Sequence, residues 1–529
     1  MTTVEYRCAD GTPFPVTFVD EAQAEKVFRL DREHGAFPAT PLMAAALELG
    51  VAGSRAASDE LGVPPAKTTG RAPKANGFSY VPDVADPSEN FDVAAMFEAI
   101  GKLVTDHGGA LGVWRQATMP QAQAAADALD AAPADIPFAQ AVHQYSYGMQ
   151  MTMISAFVCF NDHQLLAAAC ADVFPPDDAQ LIAYELTQGY DNPTIRADQA
   201  LWDLGQLALE APAVLEALRS SDAAASMRAL RDANVEPGFF GVVDAFLAEY
   251  GRRCEAWDIV CPTWQEQEEG FWRQLAKFAA HDAPSPSEAL AKAAQRRESL
   301  AAAISARLAP DAAKQARFQR RYQRAADYVL VREERALWQL ILAGALRGVA
   351  LRHGARLVAE GRLDAASDVF YLVPEELEGD DDLRERASDR RVRHDRWCAV
   401  TPPPVIGGTA PAQASPLSLP DDRVLRGLAG SRGLVTGTAR VVTDLADADR
   451  IAPGDVLVCV LTAPPWTPLF AVASAVVTDS GGLASHPAIA AREYGIPCVL
   501  DTRIGTSVIP DGALVTVDGE AGTVEVVPG

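Results

Sequence analysis

The residue pattern changes character across one proline-rich stretch, and that change limits the architecture more than any other feature of the chain. Over residues 91–393, apolar positions recur at three- and four-residue spacing on a background of alanine, leucine, arginine and glutamate, as in 242–250, 298–308 and 325–351. Residues 401–420 hold six prolines, three of them consecutive from Pro402 to Pro404, and few large apolar groups. That composition predicts a semi-extended linker. Beyond it the period shortens to Val- and Thr-rich runs at 434–443, 455–461, 474–478, 498–500, 513–517 and 522–527, which read as strands. Residues 4–18 read as a strand pair ahead of the helices. The expected fold class is multidomain: a large, mainly α-helical domain over 1–398, a Pro-rich linker over 399–430, and a small α/β (β/β/α) domain over 431–529.

Within the small domain, an apolar run ends in a turn carrying Gly481 and Gly482, and His486-Pro487 then opens a short helix. Pro487 suits the first helical position, which makes His486 the expected N-cap. Gly495 reads as the left-handed stop, with Pro497 just beyond it. A helix N-terminus offers unpaired N–H groups and a positive dipole end, so it can hold a phosphoryl group. His486 is therefore the candidate nucleophile. Gly481, Gly482 and Ser485 are the candidate phosphate-stabilising positions, the glycines because backbone without side chains can approach a ligand closely. A capped helix with an exposed histidine is the plainer alternative.

Composition narrows the partners. The formal net charge of −25 argues against nucleic acid or an anionic membrane as the main partner. An anionic substrate needs a local basic site against that field. No apolar stretch reaches membrane-spanning length, and the N-terminus has no basic region followed by an apolar one. The eight cysteines show no paired or zinc-like spacing, so no metal is assigned and reduced, cytoplasmic thiols are expected.

The segment from Gly433 to Val527 resembles the phosphohistidine (swivelling) domain of the PEP-utilising enzymes. The resemblance runs through Gly437-Thr438-Ala439-Arg440, Pro453-Gly454-Asp455-Val456, Pro465-Trp466-Thr467-Pro468, the His486 segment, and Val517-Asp518-Gly519. It implies that His486 is the phosphorylated residue. Ala484 and Pro487 depart from the family pattern, which has a threonine and a small residue there. Further blocks resemble the substrate-binding domain of rifampin phosphotransferase-like proteins. They include Asp31 to Leu42, Leu201-Trp202-Asp203-Leu204, Phe246 to Arg253, Pro262 to Glu266, and Asp368 to Leu372. Arg252 departs from that pattern, where His is more usual.

An ATP-grasp domain, which that family carries, has no counterpart here. The chain holds only seven lysines and no Gly-rich phosphate loop ending in Lys-Ser/Thr. The resemblance therefore implies that ATP and Mg²⁺ act through a separate ATP-grasp protein, with no cofactor assigned to this chain. The expected function is a phosphotransferase component that passes a phosphoryl group from His486 to a hydroxyl or enol oxygen of a small-molecule acceptor. One alternative is a secondary-metabolism enzyme, lyase- or ligase-like, that uses transient phosphorylation for dehydration or condensation. Another is a non-catalytic binding protein that keeps the fold.

Phosphoryl transfer depends on positioning and charge neutralisation, so arginines matter most. Arg332, Arg335 and Arg347 are the candidate phosphate-stabilising side chains. Arg253, Glu255, Asp258 and His143 are the candidate substrate-binding residues, the last three as bases for the acceptor hydroxyl. Each has a plainer reading. Arg332 and Arg335 beside Glu333 and Glu334 fit a solvated helix face, and His143 fits a core histidine with satisfied nitrogens.

Overall fold

The computed structural model describes residues 1–31, 37–65, 72–83, 92–159, 162–254, 258–279, 285–408, 418–463, 466–483 and 485–528, without the side chains of 177, 446 and 449. Glu255, Ala484, His34 and the 409–417 part of the expected linker lie outside the described residues. The chain divides into two compact units. The first comprises Met1–Val158, Ala256–Pro262 and Trp338–Leu417, and the second Cys159–Glu255, Thr263–Leu337 and Ser418–Gly529. Among the described residues no helix is long and apolar enough to cross a membrane.

The first unit opens on the expected strand pair. Strands β1 (Thr2–Arg7) and β2 (Pro13–Phe18) run antiparallel, with Thr2 opposite Phe18. A three-stranded sheet follows, in which β3 (Phe28–Leu30) lies between β4 (Tyr80–Pro82) and β5 (Val405–Ile406). The Pro-rich stretch is thus partly built into the fold. Pro403 accepts a 2.6 Å hydrogen bond from the Tyr80 hydroxyl, and Ile406 joins Tyr6, Phe14, Phe18, Phe28 and Phe78 in one buried cluster. Prolines at a sheet edge lose no ladder bond, which is why this run can pair at all. Helix packing in this unit is close. A Cβ at Gly53, in the helix Val51–Glu60, would lie 2.1 Å from the carbonyl oxygen of His143, in the helix Phe138–Cys159.

The second unit holds a helical layer and the α/β domain. Its helices include α1 (Asp162–Cys170), α2 (Pro176–Glu185), α3 (Pro193–Leu209), α4 (Pro237–Tyr250), α5 (Glu268–Phe278), α6 (Pro286–Leu308) and the part of α7 (Ala312–Ala359) up to Leu337. Two apolar clusters hold them. Phe239, Phe240, Phe246, Trp264, Trp272 and Phe278 fill the space among α3, α4 and α5, while Leu166, Ile182, Ile304 and Phe318 join α1, α2, α6 and α7. Each of these large side chains contributes about 1.5–3 kcal/mol when fully buried.

The sheet of this unit has eight strands: β6 (Val424–Arg426), β7 (Leu428–Ser431), β8 (Leu434–Val441), β9 (Val456–Cys459), β10 (Ala475–Thr478), β11 (Cys498–Leu500), β12 (Leu514–Asp518) and β13 (Thr523–Val526). Their order is β6-β13-β12-β8-β9-β10-β11-β7. β8 to β11 pair in parallel and the outer pairs are antiparallel. β9 and β10 are buried along their full length, which explains their unbroken apolar sequence. β6, and all of β7 but Ser431, fall in the 399–430 span read as linker. They are short, and the surrounding prolines and charges hid their pairing. Helix α8 (His486–Tyr494) follows β10 and packs on β7 and α6.

Candidate active site

The turn after β10 leads into His486. Gly481 has φ +120°, and a Cβ there would lie 2.8 Å from Ser485 Oγ, so the position requires glycine. Ser485 folds back, its Oγ–H donating to Gly482 O at 2.7 Å. Its extended backbone makes Ser485 the N-cap, so His486 is the first helical residue and the helix starts one residue earlier than the sequence predicts. Pro487 fits at the second position, where its missing N–H costs nothing. Gly495, with φ +71°, ends α8 as expected.

His486 is partly exposed. Its Nε2 is 3.3 Å from Thr467 Oγ1, and its ring meets the Phe470 ring edge-on at 6.1 Å. Burial pushes the imidazole down to about 4; Glu333 pulls it up, while Arg253 and Arg332 push it further down. The ring is therefore neutral at physiological pH, with a lone pair available for attack.

The two arginines come from the helical layer. Arg253, just past α4, is 1 % exposed and lies over the Trp264 ring at 4.3 Å. Its Nε and Nη2 have no hydrogen-bond partner among the described residues, and burial lowers it to about 10. Arg332, on α7, is 9 % exposed, which rules out a solvated helix face. Its Nε donates to Glu333 at 3.0 Å, while its Nη2 has no partner among the described residues. Unfilled buried donors of this kind are costly unless a ligand meets them. Arg335, part-buried on the same helix, interacts electrostatically with Arg332 and Glu333, its own proton affinity lowered by burial.

Three further anchors fasten α8. Both Glu493 oxygens accept the Gly189 N–H, at 3.1 and 3.0 Å, and burial raises that carboxyl to about 7. The Tyr494 hydroxyl donates to Asp198 at 3.5 Å. Arg492 donates to Gly430 O and Leu483 O at 2.6 and 2.7 Å. Glu333 accepts from Thr194 Oγ1 at 3.3 Å as well as from Arg332.

Other candidates serve elsewhere. Asp258 accepts from the Thr40 backbone N–H at 2.9 Å, from its hydroxyl at 3.1 Å, and from Val260 N–H at 2.9 Å, so its oxygens are committed within the first unit. Arg347 donates to Ile259 O and Val260 O at 2.9 and 2.8 Å and lies over Phe370, clamping the same loop. His143 is exposed on its helix, and the core reading does not hold for it. Its backbone, pressed against Gly53, is what the fold uses.

Sequence reasoning passed over Glu333, Asp198, Glu493 and Thr467. Asp198 had a signal: it falls on the apolar stripe of α3 with Ile195, Leu201 and Gly205, where a carboxylate needs a reason. Glu493 likewise interrupts an otherwise apolar helix.

Residues 451–522 match the PEP-utilising enzyme mobile domain, and residues 151–333 match the rifampicin phosphotransferase fourth domain. The chain thus carries modules of the PEP-utilising enzymes, of the rifampicin phosphotransferase kind. It is 30% identical over 575 residues to chondramide synthase of Chondromyces crocatus, covering 98% of this chain and 14% of that protein. It is 29% identical over 360 residues to the uncharacterised phosphotransferase YvkC of Bacillus subtilis, covering 65% and 43%. Over 179 residues it is 40% identical to the rifampicin phosphotransferase of Streptomyces sviceus, covering 32% and 20%. The chain spans less than half the length of each of these relatives.

Proposed function

We propose that His486 accepts a phosphoryl group and passes it to a hydroxyl or enol oxygen of a small organic acceptor. What supports this reading is a neutral imidazole at a helix start, acted on electrostatically by two buried guanidiniums that have unfilled N–H groups. An imidazole nitrogen attacks phosphorus, forming the N–P bond as the donor's P–O bond breaks and the donor leaves with the electron pair. The acceptor oxygen then attacks in line, and the N–P electrons return to the imidazole. The acceptor's proton passes to a carboxylate, for which Glu333 is the group whose charge acts on His486. Arg253 and Arg332 neutralise the phosphoryl oxygens in both steps.

In this reading the α/β domain, with β6 and β7 as its first strands, is the carrier, and a separate ATP-grasp protein supplies ATP and Mg²⁺. Incubation with labelled ATP, Mg²⁺ and such a protein should place acid-labile phosphate on the chain. Equal labelling of His486→Ala, or none of the wild type with any such donor, would sink the proposal.

A second reading has one observation in its favour: nearly the whole chain aligns within a synthase. There the phosphoryl group would activate an oxygen for elimination or condensation, and the isolated product would be phosphate-free. Mass analysis of the acceptor after turnover separates the two.

A further inference from the structure

A second anion site lies at the other end of the phosphohistidine helix. A cavity of about 390 Å³ is bounded by α2, α6, β7 and the C-terminal end of α8. Four arginines line it, Arg296, Arg297, Arg432 and Arg492, against one carboxylate, Glu185. In a chain of net charge −25, that is a concentrated positive site. The partial negative charge at the end of α8 opposes an anion by only about half a unit, far less than four guanidiniums supply.

The polar groups in the wall are incompletely used. Arg297 donates through Nη1 to Gln188 O and Gly189 O at 2.8 and 2.6 Å, but its Nε has no partner among the described residues. The Nε of Arg492 and the Oε1 of Gln188 are in the same condition. Arg297 and Arg492 are each 8 % exposed and Gln188 4 %. Arg296 makes no hydrogen bond or ion pair among the described residues. It reaches over the end of α8, its Nη2 3.8 Å from where a Gly495 Cβ would stand. Among the described residues, Arg432 is held only by an exposed ion pair with Glu185, at 3.4 Å.

These groups define the ligand. Guanidinium donors match phosphate oxygens, and Gln188 Oε1, an acceptor, calls for a ligand O–H. Leu181 and Leu300 offer a short apolar wall. The one aromatic ring, Tyr184, is already covered, with His163 stacked on it at 3.6 Å and Arg492 over it at 4.8 Å, so no platform remains for a nucleobase. We propose that this cavity binds a small phosphate monoester bearing a free hydroxyl.

The site is separate from the phosphoryl-carrying one. His486 and Gly495 stand at opposite ends of α8, about 13 Å apart at 1.5 Å per residue. A ligand here bridges α6 to β7 and α8, so it would stabilise the docked carrier helix rather than react at His486.

Calorimetric titration of the full chain with glycerol phosphate, inorganic phosphate and glycerol tests this without any phosphoryl donor, so its result stands apart from whether His486 is labelled. Glycerol phosphate should bind more tightly than inorganic phosphate, and glycerol should not bind. The double variant Arg296→Ala/Arg432→Ala changes only exposed side chains and should keep its melting temperature, yet lose about tenfold in affinity or more. His486→Ala should bind as the wild type does. No binding at millimolar ligand, equal affinity for inorganic phosphate, unchanged affinity in the double variant, or loss in His486→Ala would each overturn the assignment.

Discussion

Both carboxylate oxygens of Glu493 share the single backbone N–H of Gly189, which fixes the helix that begins at His486 against the turn between α2 and α3. Ordinary glutamate ionises near 4.5, and here burial raises that to about 7. The folded protein therefore holds this proton more tightly than the unfolded chain. Its contribution to stability is full below pH 4.5 and is lost as pH rises through about 7. The loss amounts to roughly 3 kcal/mol across that window. Denaturant titrations at several pH values should show it, and Glu493→Gln should flatten the slope. A slope unchanged in that variant would place the buried proton elsewhere.

Gly189 allows no side chain. Its φ is +70°, and a Cβ would lie 2.2 Å from the backbone nitrogen of Ala294 in α6. Gly189→Ala should cost about 2 kcal/mol or more, because backbone rather than a flexible tip must move. Thermal melts would register the loss, and a melting temperature equal to wild type would contradict the packing described.

The buried guanidiniums make separate predictions for stability and turnover. Replacing Arg253 by Met removes two unfilled N–H donors but also the cation that offsets buried Asp198, so melting temperature should fall. Transfer from phosphohistidine to acceptor should fall about a hundredfold. Arg332→Lys should restore little of what Arg332→Ala loses, since an ammonium lacks the planar fork. Single-turnover chase of the labelled protein measures all three. A destabilised Arg253→Met with normal transfer would assign that arginine to structure alone.

His486 is held below its ordinary value of 6.5, at about 4. Its contribution to folding is present above pH 6.5 and fades as pH falls through about 4. Phosphorylation of the histidine should therefore be independent of its own protonation across the neutral range and decline only in acid. NMR titration of the ring protons would show the midpoint. A midpoint near 6.5 would mean that the ring is solvated and the arginines are remote.

Much of the sheet is legible in the sequence because its strands carry their own signal. The buried parallel run from Val456 to Cys459 is uniformly apolar, and the hairpin of β12 and β13 alternates. The turn at Gly481 and the stop at Gly495 are equally plain, since only glycine takes those φ values readily. β6 and β7 were hidden because three- and four-residue strands among prolines and charges show no period. Arg332 was ambiguous for a different reason. An Arg-Glu-Glu-Arg run looks the same whether water or a neighbouring helix meets it, and only tertiary packing decides. Asp198 and Glu493 mark the positions where local pattern and fold disagree, as polar groups at functional sites tend to.

The open N–H groups of Arg253 and Arg332 also bear on when the proposed carrier would dock. With an unmodified imidazole, three buried guanidinium donors stand without partners among the described residues. On the proposed mechanism, a phosphoryl group on His486 would bring oxygens toward them. The loaded and empty carriers would then differ in affinity for the same surface, and the cargo itself would set which way the domain's equilibrium leans. Delivery would be self-terminating: once the group had left, the contact that held the carrier in place would have gone with it.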